Sequence, residues 1–110
     1  MAERESKKET KSVEGAKVYT EMQGNIVYIG KKGVMAYVLA VITQFSENKN
    51  EVLIKARGKS ISRAVDVAEI VRNKAPDLKI VSITTSTEDV TSEDGRALKV
   101  SAIEIKLRKE

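Results

Sequence analysis

Hydrophobic and polar positions along this chain follow two periods in turn. Asn25–Gly30 (NIVYIG) is short, β-branched and aromatic, which predicts a buried strand. From Val34 the spacing lengthens. Val34, Val38, Val41, Ile42 and Phe45 recur at helical intervals and predict a helix over Val34–Ser46. Met35 and Leu39 carry its apolar surface further round, so the helix is expected to be covered on more than one side. A polar turn, Glu47–Asn50, separates it from a second strand, Glu51–Arg57. There Val52, Ile54 and Ala56 share one face and Leu53, Lys55 and Arg57 the other. Gly58 ends that strand. Ile61–Ala75 reads as a second helix with Ser60 as its N-cap, Ile61, Ala64, Val65, Ala68 and Val71 or Arg72 on its inner stripe, and Pro76 as its stop. Lys79–Thr87 and Lys99–Lys109 are two further strands. They are joined through residues 88–98, where Asp94-Gly95 signals a turn.

The predicted order is β-α-β-α-β-β. Strands separated by single helices form right-handed crossovers on one sheet. The fold class is therefore α/β, a two-layer sandwich with both helices on one face of a four-stranded sheet. Residues 1–24 break the pattern. They hold five basic and five acidic side chains and almost no apolar periodicity, so they read as a mobile charged tail. The folded domain is expected over 25–110.

Composition then narrows the function. The chain has 110 residues and a formal charge of +4, from 20 Lys and Arg against 16 Asp and Glu. The tail is neutral, so the whole excess lies in the domain. Histidine and cysteine are absent. Their absence removes the commonest general base, the thiol nucleophile and the usual metal ligands; no cofactor, metal or catalytic residue is expected. The start, MAERESKKETK, lacks the apolar stretch of a secretory signal. The longest apolar run, Val34–Ile42, falls short of the roughly 18 residues a membrane span needs. Residence in the cytoplasm, away from membranes, is the expectation.

The two strand-to-helix turns hold the candidate chemistry. Gly30-Lys31-Lys32-Gly33 and Arg57-Gly58-Lys59-Ser60 each join glycine, cations and a helix start. Helix N-termini present unpaired amides and partial positive charge to phosphate, and an arginine fork grips two of its oxygens. Both turns should leave the sheet at one edge and gather Lys31, Lys32, Arg57 and Lys59 into one patch. Arg96 and Lys99, on the returning arm of the hairpin, are positioned to reach along a duplex. Three known motifs fail on spacing. Gly58-Lys59-Ser60 lacks the P-loop glycine, because Leu53 stands at that position. Gly30–Gly33 joins a strand to a helix, whereas the GXXG loop of KH domains joins two helices. Tyr28 is the only strand aromatic, too few for an RRM platform. Asp66 and Glu69, flanked by Arg63 and Arg72, read as a solvated helix face with ordinary ion pairs.

Three blocks carry a resemblance. NIVYIGKKGVMAYVLA, EVLIKARGKSISRAVDVAEIVRN and VTSEDGRALKVSAIEIKLRK, in that order, resemble the Alba family of archaeal chromatin proteins. The similarity spans about residues 25–110. It implies a β-α-β-α-β-β fold related to the C-terminal domain of bacterial translation initiation factor three. It also implies a homodimer that packages double-stranded DNA without sequence preference, associated with the chromosome, and that binds RNA as well. Lys31 and Lys32 match the family's central lysine pair; Arg57 and Lys59 match its second basic loop. Arg96 and Lys99 match cations on arms implied to embrace the duplex at the minor groove. Lysines at the centre further imply acetylation of Lys31 or Lys32, with an acetyltransferase or deacetylase as partner.

There are two departures from the family pattern. Gly33 replaces a frequent proline, which implies a less rigid loop. Lys74-Ala75-Pro76 lacks the aromatic that packs dimer against dimer, which argues against cooperative assembly along DNA. The same residues would serve an RNA chaperone or ribonucleoprotein subunit. Two different classes of function stay open beside these. One is an enzyme acting on phosphate-bearing substrates, with only carboxylates such as Asp66 and Glu69 as base. The other is a purely structural dimerisation module.

Overall fold

The computed structural model describes residues 21–110. Its elements are β1 (Glu21–Gln23), β2 (Ile26–Tyr28), α1 (Val34–Ser46), β3 (Glu51–Arg57), a 3-10 turn (Gly58–Ser60), α2 (Ile61–Lys74), β4 (Leu78–Thr91) and β5 (Ala97–Lys109). The strands form one sheet in the order β1-β2-β3-β5-β4. β2 and β3 run parallel, so α1 is the crossover between them. β3 and β4 both run antiparallel to β5 and hence parallel to one another, with α2 as the second crossover. The expected α/β sandwich is therefore present, with its four strands and two helices in the predicted order.

Alternation along the strands sets the two faces. Val52, Ile54 and Ala56 pair across with Leu107, Ile105 and Ile103, and all six are buried. Val38, Val41 and Phe45 of α1 and Ala64, Val67 and Val71 of α2 join them in one core. Each fully buried Val or Ile contributes about 1.5–3 kcal/mol relative to an exposed one, so this layer holds both helices to the sheet. Lys55, Lys106 and Glu104 point to the opposite face, which no helix covers among the described residues.

Several boundaries differ from those the sequence predicts. Glu21–Gln23 lies inside the span assigned to the tail, yet it forms an edge strand antiparallel to β2. The rest of that span, 1–20, lies outside the described residues. β4 runs on to Thr91 and β5 starts at Ala97, so most of the expected 88–98 connection is paired strand. Its acidic residues read as loop, but Asp89 faces Lys99 across the ladder and the opposite charges support pairing. β3 accompanies β5 only over Ala102–Arg108. Beyond that point, residues 87–91 and 97–101 project as a two-stranded ribbon. Ser60 occupies the N-cap position of α2, but its side chain makes no capping bond; the 3-10 turn leads into the helix instead.

Candidate nucleic-acid interface

Parallel β2 and β3 deliver their following turns to the same edge of the sheet. The first turn is held from beneath. Tyr37, one turn into α1 and almost wholly buried, places its hydroxyl oxygen where it accepts the Gly30 amide at 2.8 Å and the Lys32 amide at 3.1 Å. Arg63 of α2 donates through Nη1 to the Gly30 carbonyl at 2.7 Å. A side chain at position 30 would bring a Cβ within 3.3 Å of the Tyr37 hydroxyl, so glycine suits the close approach. With both faces of Gly30 tied, Lys31 and Lys32 stand exposed at the apex. The two amides Tyr37 engages precede the helix, whose own first amides begin at the N-cap Gly33.

The second turn follows Arg57. Gly58 has a φ of +59°, a conformation other residues adopt only with strain, and it swings the chain from β3 into the 3-10 turn. Arg57 and Lys59 are exposed. Lys31, Lys32 and Arg57 border one open cleft on the uncovered sheet face, with Lys59 two residues beyond Arg57. Of the four cations expected in one patch, Lys31, Lys32 and Arg57 share this border, and Lys59 does not line it. Arg96 and Lys99 sit apart, on the projecting ribbon.

The cations differ in their partners. Arg57 pairs with Glu88 at 3.0 Å, Lys99 with Asp89 at 2.6 Å and Arg96 with Asp94 at 3.2 Å. At the ribbon's tip the Ser92 hydroxyl donates to Asp94; that bond, with help from Arg96, holds the Asp94 carboxyl below its ordinary range. All three pairs are solvent-exposed, where an ion pair contributes little and exchanges readily. Arg72 pairs with Glu69 at 2.5 Å, as expected of an ordinary helix face. Arg63 does not join that face; it is spent on the Gly30 carbonyl. Tyr37 and Arg63 are the two residues of the site that the sequence pattern does not disclose. Among the described residues no three carboxylates gather to hold a metal ion, and no helix is long and apolar enough to cross a membrane.

The sequence profile of the family described as Alba matches residues 25–90. The chain belongs to the Alba family. It is 60% identical over 87 residues to the DNA/RNA-binding protein Alba of Methanococcus maripaludis, a match covering 77% of this chain and 98% of that one. It is 58% identical over 89 residues to the DNA/RNA-binding protein Alba 1 of Archaeoglobus fulgidus, covering 80% and 99%. The solved structure of Alba from Thermoplasma volcanium superposes with a TM-score of 0.73 at 55% identity, over 77% of this chain and all of that one. The Alba match includes both basic turns and the outgoing arm of the hairpin.

Proposed function

We propose that this Alba-family chain is a sequence-nonspecific double-stranded DNA-binding protein that packages DNA as a homodimer in the cytoplasm, without catalytic activity. The observation that carries the reading is the pinned loop, which presents Lys31 and Lys32 beside Arg57 at one sheet edge. Lysine ammonium groups on a fixed backbone bind phosphates as point charges and release condensed counterions. Contacts of that kind position a protein on the duplex and carry no information about bases, so sequence is not read. Lys59 extends the patch, and Arg96 and Lys99 exchange their carboxylate partners for phosphates along the duplex. Acetylation of Lys31 or Lys32 would remove the central charge and loosen the complex.

A second copy is supported by apolar side chains left uncovered. Ile83 on the outer strand β4 is 59% exposed although it points to the helix-bearing side; Val65 of α2 and Met35 and Leu39 of α1 are exposed as well. The relatives' names, which say DNA/RNA-binding, support a second reading in which structured RNA is bound by the same surface. Replacing Lys31 and Lys32 together by alanine tests the main reading. Duplex affinity should fall, and the slope of log affinity against log salt should flatten by roughly 0.9 for each phosphate no longer neutralised. Unchanged affinity and slope would refute it.

A further inference from the structure

Strand register builds a trough on the open sheet face. One rung across β2, β3, β5 and β4 reads Tyr28, Lys55, Glu104 and Thr84. The next rung toward the hairpin reads Arg57, Ala102 and Ser86. Short side chains at Ala102 and Ser86 lie between longer ones, and the hollow opens to a volume of about 1170 Å³ with Lys31 and Lys32 on its border. Ligand sites for small organic molecules run to roughly 300–1,000 Å³, so a base, its sugar and its phosphate have room here.

The lining has the chemistry of a nucleotide. Tyr28 is the only aromatic on the open face among the described strands and is half-buried, with Arg57 one rung on along the neighbouring strand β3; a ring and a guanidinium plane both stack on bases. Glu104 meets Lys55 at 3.6 Å and Glu88 meets Arg57 at 3.0 Å, so each carboxylate keeps acceptor positions free after its ion pair. A carboxylate accepts from the exocyclic amine of cytosine or adenine; uracil has no such amine. A paired base inside a duplex cannot enter, since its faces are stacked and its edge is engaged.

We propose that this trough takes one unpaired nucleotide of a strand leaving the duplex. Its base lies against Tyr28, its amino group donates to Glu104 or Glu88, and its phosphate meets Lys31 and Lys32. The inference rests on the nucleic-acid reading above and adds to it a base preference, cytosine and adenine over uracil.

Fluorescence anisotropy on the full chain tests it, with short oligocytidylate and oligouridylate RNAs and a blunt DNA duplex at one salt concentration. Oligocytidylate should bind about tenfold more tightly than oligouridylate, the discrimination expected of one specific base contact. Tyr28→Leu should weaken oligocytidylate binding about tenfold and leave the blunt duplex unchanged, whereas Tyr28→Phe should retain both. Glu104→Gln should narrow the preference for cytosine. Equal affinity for the two RNAs, with the duplex still bound, overturns the trough proposal alone. So does a Tyr28→Leu chain that loses RNA and duplex in the same proportion. Failure of the unaltered chain to bind either RNA or the duplex overturns the nucleic-acid reading, and this inference with it.

Discussion

Gly30 shows how one residue prepares the interface. Its amide and its carbonyl are both engaged, by the Tyr37 hydroxyl at 2.8 Å and the Arg63 guanidinium at 2.7 Å. The family resemblance implies a looser loop because Gly33 replaces a proline. The rigidity that proline would bring is supplied here by hydrogen bonds from two helices. Tyr37→Phe removes an acceptor shared by two half-buried amides, a loss of about 1–3 kcal/mol if both stay unsatisfied. Hydrogen exchange at Gly30 and Lys32 should quicken, and duplex affinity should fall about three- to tenfold as the lysine pair loses its fixed position. The affinity effect should vanish in a chain already lacking Lys31 and Lys32. Faster exchange with unchanged affinity would show that pinning the loop does nothing for binding. The cations themselves are legible in the sequence because glycine and lysine at a helix start have a direct physical meaning. The pins are not. Tyr37 reads as one more apolar residue of a helix, and Arg63 reads as a partner for Asp66 until the turn is seen folded beneath α2.

Among the elements, the β4–β5 hairpin separates what pattern can and cannot say. Its core half is legible, since Ile103, Ile105 and Leu107 alternate cleanly and are buried. Its outer half reads as connection because Glu88, Asp89, Glu93 and Asp94 lack an apolar period. Cross-strand charge pairing extends the ladder there, and one sequence segment alone does not reveal its partner. β1 is hidden for a similar reason: three residues pair with β2 at the end of a charged stretch. The Arg57–Glu88 pair ties the root of this ribbon to the second basic turn and sets a carboxylate where a phosphate would bind. Glu88→Gln should raise duplex affinity about two- to fivefold at low salt, and the gain should shrink as salt screens the pair. A fall in affinity would mean that Glu88 orients Arg57 for binding and does not compete with the ligand.

In the molecule as a whole, the two layers leave one side unfinished. β4 is the outer strand, 14 residues long, and Ile83 on it stays exposed, as does Val65 of α2. Long bare edges with apolar side chains are protected in natural proteins, and a second copy would provide that cover. The periodicity of α1 indicates cover on more than one side, and Met35 and Leu39 remain open in the single chain. Ile83→Asp places a charge in that contact. It should shift the sedimenting species from dimer to monomer while the fold persists; an unchanged dimer would place the contact elsewhere. Doubling the chain doubles the lysine pairs, so the dimer and the electrostatic reading stand together. The electrostatic reading depends on Lys31 and Lys32 holding phosphates without reading sequence. A salt titration of two duplexes of unrelated sequence probes this most simply, with the unaltered chain and with the Lys31→Ala, Lys32→Ala chain. Two coincident, steep, linear plots are expected for the unaltered chain, and a shallower plot for the variant. A marked preference for one duplex, or a slope the variant leaves unchanged, would overturn the assignment.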